Sequence, residues 1–155
     1  MTGATVTETE HRAMSLRGRA VLKTVPFSEP KETPREEYPL ELTTGRTVHH
    51  FHTRTKTGRA EQLQKASPRV WVEIAASDAS EFEVHDRELV RIVSPRGSIE
   101  APVRVTQTRA GQVFVPFHYA EQAANELTMT VWDPVSKQPA FKVAAVRVES
   151  IDHEQ

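Results

Sequence analysis

The sequence predicts a mainly β protein, folded as a compact barrel of short strands with one or two small helices. Three observations carry this expectation. Apolar and polar residues alternate in several short runs, the period of a half-buried strand. Turn signals recur about every ten residues, among them Ser94-Pro95-Arg96-Gly97, Gln107 to Gly111 and Gln138-Pro139. Helix-forming composition is confined to brief stretches such as Tyr119 to Leu127. Short strands with closely spaced turns favour a barrel over a sandwich of long strands.

A chain of 155 residues that is 37% apolar can bury one core, so one domain with tails is expected. The division expected is a tail over 1–17, a strand and Pro-rich arm over 18–38, the barrel over 39–149 and a second tail over 150–155. Cysteine is absent, which excludes disulfides, thiolate nucleophiles and cysteine-ligated zinc or iron–sulfur centres within the chain. Residues 1–13 contain no apolar signal core, and no later apolar run approaches the length of a membrane helix. A cytoplasmic protein without a membrane span is expected.

In chain order, Arg19 to Val25 reads as a strand. Pro26, Pro30, Pro34 and Pro39 then interrupt any ladder and predict an extended arm lying along a surface. Leu40-Glu41-Leu42-Thr43 is β-prone, and Val70, Val72 and Ile74 alternate on one face of a further strand. Ser77 is placed to cap a short helix over Asp78 to Phe82, and Glu88 to Ser94 returns to strand. After the Ser94–Gly97 turn, Ile99, Ala101, Val103 and Val105 face one way, with Pro102 limiting how that strand pairs. Val113-Phe114-Val115 is a short strand stopped by Pro116, Tyr119 to Leu127 suits a short helix, and Phe141 to Val148 closes the chain as a strand.

The chemistry concentrates in residues 43–59. This stretch holds six Thr, three His, three Arg and one Lys, with no carboxylate. From Thr43 to Arg69 the basic residues Arg46, Arg54, Lys56, Arg59, Lys65 and Arg69 face only Glu61, in a chain of net charge −1. Such a local excess suits a discrete anion held by backbone N–H groups, hydroxyls and guanidinium forks. Gly45, directly after the β-prone run, marks where the backbone can turn and approach a ligand. The competing reading is a solvated loop. Arg46 and Lys142 answer phosphates, Asn125 offers a paired donor and acceptor, and His52 can hydrogen-bond or stack. The bland alternatives are a solvated side chain at a strand start for Lys142 and a helix cap for Asn125.

Other chemistries find less support. His50 and His52 share a strand face and His118 could join them on a metal, but no nearby carboxylate or fourth His completes the set. No Gly-x-Ser-x-Gly elbow is present, and Gly45, Gly58 and Gly97 stand too far apart for a Walker or Rossmann loop. One short basic stretch with few aromatics argues against nucleic acid as the partner.

Four motifs in fixed order resemble the C-terminal dinucleotide-binding domain of molybdopterin oxidoreductases, on the nitrate reductase and formate dehydrogenase branch. They are Tyr38 to Arg46 running into His50 to Thr55; Ser94 to Gly97; Val113 to His118; and Ala124 to Thr128 leading to Asp133 to Pro139 and Lys142 to Val146. The resemblance implies a double-psi β-barrel and a molybdopterin guanine dinucleotide ligand, part of a Mo-bis-MGD centre shared with a partner domain. Carried over by motif, Thr44, Gly45, Arg46, Thr47, Val48, His49, His50, Phe51, His52 and Thr53 wrap the dinucleotide. Asn125 and Lys142 are further contacts, and Phe117 lies near the substrate approach. No catalytic residue and no metal ligand is expected here. The implied partner is a larger subunit or set of domains carrying the metal ligand and an iron–sulfur cluster. The alternative is a barrel that has lost the cofactor and serves protein interaction or regulation. Family members usually have His-Pro where Ala75-Ala76 stands and glycines at the positions of Glu83 and Arg87. The turn before Glu88 must then be strained or differently shaped.

Overall fold

A computed structural model describes residue 24 and residues 26–151 of the chain. The described residues form a closed barrel of six strands: β1 (Leu40–Gly45), β2 (Val72–Ala75), β3 (Leu89–Ser94), β4 (Gly97–Thr106), β5 (Gln112–Pro116) and β6 (Val143–Ser150). Around the wall the order is β1, β5, β2, β4, β3, β6, and β6 returns to β1. Two parallel pairs, β1 with β5 and β2 with β4, interlock with antiparallel pairings elsewhere. This is the double-psi barrel expected of the family resemblance.

Period-two burial builds the interior. Leu40, Leu42 and Thr44 of β1 point inward, as do Ile99, Ala101 and Val103 of β4. They meet Val72, Ile74, Val90, Ile92, Val113, Val115, Ala144 and Val146 from the other strands. Each buried Val, Leu or Ile among them contributes about 1.5–3 kcal/mol by leaving water. Closure leaves no open edge among the six strands, which removes a template for aggregation.

Pro102 sits where β4 changes partner. Residues 97–102 pair with β3, and residues 103–106 pair with β2. A residue without an N–H is tolerated at that handover, which is the limit on pairing that the sequence implies.

Three local expectations are corrected. The helix after β2, α2, runs Ala76–Glu81 with Ala75 as its N-cap, and Ser77 does not cap it. Ser77 instead donates its hydroxyl to Asp78 Oδ1 at 3.1 Å. Tyr119 to Leu127 is two 3₁₀ turns, Ala120–Gln122 and Ala124–Glu126, split by extended backbone at Ala123 (φ −75°, ψ 115°). Tertiary bonds outweigh helix propensity there: Gln122 accepts the Glu100 N–H at 2.8 Å, and Glu121 pairs with Arg54. The polar connection after β1 also contains an unforeseen helix, α1 (Glu61–Ala66), preceded by a 3₁₀ turn at Thr57–Arg59.

The arm is tied to the barrel. Glu32 receives a bidentate grip from Arg96 (3.1 and 2.7 Å) and the Ala145 N–H (3.1 Å), while Arg96 also donates to the Leu127 carbonyl. The tail expected over 1–17 and the strand over 19–25, apart from Thr24, lie outside the described residues. Glu83 and Arg87 adopt positive φ of 54° and 69°, so the positions where the family favours glycine carry left-handed backbone here.

Candidate functional site

Register brings the site together at one end of the barrel. Parallel pairing sets Gly45 beside Pro116, so the residues that follow, Arg46 and Phe117, leave the wall side by side. Antiparallel pairing sets Thr43 opposite Val143, which brings Lys142 against Thr44. Lys142 Nζ donates to the Thr44 carbonyl at 3.0 Å, and the Thr44 hydroxyl donates to the Phe141 carbonyl at 2.7 Å. Three strand ends distant in sequence therefore open into one space.

That space is a cleft of about 730 Å³ lined by Arg46, His52, Thr53, Phe117, Asn125, Gln138, Pro139, Phe141 and Lys142. The Lys142 ammonium lies 5.2 Å from the centres of both the Phe117 and Phe141 rings, a distance at which ring faces attract a cation. Arg46 Nη2 approaches His52 Nε2 at 3.4 Å across the opposite side. Among the described residues, no carboxylate lines the cleft. It offers two cations, the amides of Asn125 and Gln138, an imidazole, a hydroxyl and two aromatic faces.

Of the residues named from sequence, Arg46, His52, Thr53, Phe117, Asn125 and Lys142 line the cleft. The others stand around it. Thr44 is buried and spent on Phe141. Val48 (91% exposed) and Phe51 (62%) face outward, and His49 is half-buried outside the lining. Gly45 is corrected in its reason: its φ is not positive, and a Cβ there would lie 2.7 Å from Phe114 Cε2. Packing against the Phe114 ring favours the glycine without any left-handed backbone.

Thr47 and His50 serve as supports. The Thr47 N–H donates to His118 Nε2 at 2.8 Å. His50 is buried, with Nε2 2.7 Å from the Ser67 carbonyl and Nδ1 3.0 Å from the Thr57 hydroxyl, which in turn accepts the Phe51 N–H at 3.2 Å. The ring nitrogens of His50 and His118 are thus committed to the protein.

Part of the positive charge of the connection is taken up within the protein. Arg54 (14% side-chain exposure) pairs with Glu121, reaches the Pro68 carbonyl and lies over the Tyr119 ring at 4.8 Å. Lys65 pairs with Glu61. Of the six basic residues counted there, Arg46 alone lines the cleft, joined by Lys142 from far along the chain.

Gln138, Pro139 and Phe141 escaped the sequence reading as site residues. The signal for Gln138 and Pro139 lay in the Asp133–Pro139 motif, and Phe141 adjoins Lys142. Asp133 Oδ1 accepts the N–H groups of Val135 (3.0 Å) and Ser136 (2.6 Å), closing a turn that presents Gln138 and Pro139 to the cleft. Those N–H bonds hold the exposed Asp133 carboxyl below its ordinary pKa.

The described residues thus form a closed double-psi barrel whose one end carries a cleft with two cations, two amides and two aromatic faces. Residues 40–145 match the family model described as "Molydopterin dinucleotide binding domain", and the chain belongs to that family. It is 39% identical to the F420-dependent formate dehydrogenase subunit alpha of Methanocaldococcus jannaschii, over 86% of this chain and 20% of the relative. It is 39% identical to the periplasmic nitrate reductase of Desulfovibrio desulfuricans (84% and 18%) and 40% identical to the assimilatory nitrate reductase catalytic subunit of Bacillus subtilis (84% and 19%). The chain spans about a fifth of the length of these curated relatives. Its fold is shared with acetylene hydratase from Pelobacter acetylenicus, at a TM-score of 0.70 and 15% identity, over 81% of this chain and 21% of that one.

Proposed function

We propose that this chain holds the guanine dinucleotide arm of a molybdopterin cofactor, within a molybdenum-dependent oxidoreductase of nitrate reductase or formate dehydrogenase type. The observation that carries the reading is the convergence of Arg46 and Lys142 on a cleft that no carboxylate lines among the described residues. The donor set fits the group. Arg46 and Lys142 neutralise the diphosphate, Asn125 and Gln138 pair with the edge of the base, and Phe117 and Phe141 supply apolar faces. Thr53 and His52 add hydrogen-bonding groups at the rim. Bound cofactor would supply redox chemistry at its metal, while the chain's own residues orient it and balance its charge.

The rest of the reaction belongs to a partner. A chain without cysteine supplies no thiolate to the metal and no ligands for an iron–sulfur cluster, and the relatives it matches are about five times longer. A larger subunit or further domains would provide those groups and cover the open side of the cleft.

Titration of the purified chain with GDP, a fragment of the proposed ligand, tests the reading by calorimetry or chemical-shift change. Binding at or below millimolar concentration, weakened about tenfold in Arg46→Ala, is expected for loss of one charge-assisted contact. Absence of any response at millimolar GDP would overturn it and favour a barrel that serves protein interaction instead.

A further inference from the structure

His118 lies outside the cleft and is only 1% exposed, yet it holds both ends of the turn that carries the cleft's Arg46 and His52. Its Nε2 sits 2.8 Å from the Thr47 nitrogen, whose N–H can be received only by an unprotonated ring nitrogen. The ring proton therefore resides on Nδ1, which donates to the His52 carbonyl at 2.5 Å. One imidazole thus fixes the residue after Arg46 and the backbone of His52 itself. His52 has φ of 44°, a left-handed conformation that a non-glycine residue keeps only when its surroundings enforce it.

We propose that neutral His118 is the positioning residue of the cleft: by pinning Thr47 and the His52 carbonyl it sets the spacing of Arg46 and His52, and anion binding there depends on its Nε2 staying unprotonated. The proposal rests on the reading of the cleft as a diphosphate site. Protonation would turn Nε2 into a donor facing the Thr47 N–H. Two donors at that distance must separate, and the turn would be released.

The surroundings of His118 favour the neutral form. The His50 ring stands edge-on at 5.8 Å, Phe117 lies at 5.1 Å and Tyr119 at 6.2 Å, while Arg46 and His52 approach from the turn. Burial lowers the pKa of His118 most, the bond to the His52 carbonyl opposes that, and the charges of His50, Arg46 and His52 lower it further. Because the folded pKa lies below 6.5, the clamp is complete at neutral pH and fails only as pH falls through that lowered value. His52, exposed at the cleft, faces the anion directly and is common to wild type and variant.

The test separates these effects by comparing variants of the full chain with GDP as probe, at about pH 7.5 and at the lowest pH at which the chain stays folded, because His118 titrates below the ordinary histidine value. In His118→Gln the amide oxygen can accept the Thr47 N–H without titrating. The affinity of His118→Gln relative to wild type should rise roughly tenfold on acidification, the worth of one hydrogen bond, since any His52 effect cancels in the ratio. Hydrogen exchange at the Thr47 amide, followed by NMR in wild type, should lose protection over the same range after correction for intrinsic rates. A pH-independent ratio, or unchanged Thr47 protection, overturns the proposal. If GDP binds neither variant at either pH, the ligand reading fails, and Thr47 protection still decides whether the clamp exists.

Discussion

Thr44 and Lys142, 98 residues apart in sequence, are locked together at the mouth of the cleft: the Lys142 ammonium donates to the Thr44 carbonyl at 3.0 Å while the Thr44 hydroxyl bonds the neighbouring Phe141 carbonyl at 2.7 Å. The two bonds do different work. Thr44 is buried and its bond joins β1 to the start of β6; Lys142 is exposed and its charge faces the cleft. Thr44→Val should therefore lower stability by about 1 kcal/mol with little direct effect on ligand affinity. Lys142→Ala should weaken GDP binding roughly tenfold and move the melting temperature little. Thermal melts and calorimetry on the two variants check this division, and equal effects of both on both quantities would contradict it.

Glu32 ties the Pro-rich arm to the barrel, and the tie has a sign in pH. Burial alone would raise its pKa, but the Arg96 fork, the Ala145 N–H and the charges of Arg96 and Arg35 more than offset that, leaving it below 4.5. A depressed carboxyl pKa gives stability that is present above the unfolded value and lost as pH falls through the folded one. Glu32→Gln should cost about 1–3 kcal/mol at neutral pH, because it leaves Arg96 facing a neutral partner. The gap to wild type should narrow below pH 4.5. Urea unfolding at several pH values measures it.

Arg87 has a φ of 69° and donates its N–H to the Val103 carbonyl at 2.8 Å, while its side chain is almost fully exposed. Its left-handed backbone costs about 1–2 kcal/mol in an L-residue, against about 0.5–1 kcal/mol of extra chain entropy for glycine. Arg87→Gly should thus stabilise the protein by up to about 1 kcal/mol. A lowered denaturation midpoint would show that the side chain contributes more than the structure indicates.

The barrel was legible because its strands obey a period of two: Leu40 and Leu42, or Ile99, Ala101 and Val103, announce one buried face without reference to partners. Arg46, Phe117 and Lys142 were legible because each flanks a strand end, and the register then gathers them. What stayed hidden depends on distant contacts. His50 and His118 look like ligands in the sequence but are buried, bonded to Ser67, Thr57, Thr47 and His52. Arg54 looks like a phosphate contact but is spent on Glu121 and Tyr119. The helix α1 is six residues long with no side-chain cap, too short for a periodic signal.

Gly45 provides a separate test, because packing against Phe114 gives a reason for the glycine that is independent of any ligand. A Cβ there would stand 2.7 Å from Phe114 Cε2 and 3.3 Å from Phe114 Cζ, and the same strand pair is fixed in register by Gly45 beside Pro116. The ring must then tilt or β1 must move away from β5, a cost of about 1–3 kcal/mol for an added methyl. Phe114 is half-buried, so shortening it should relieve the clash at modest expense. Gly45→Ala alone should lower the midpoint of urea unfolding, and Gly45→Ala combined with Phe114→Leu should be more stable than the sum of the single changes predicts. Strict additivity would mean that the glycine is required for some reason other than the Phe114 ring.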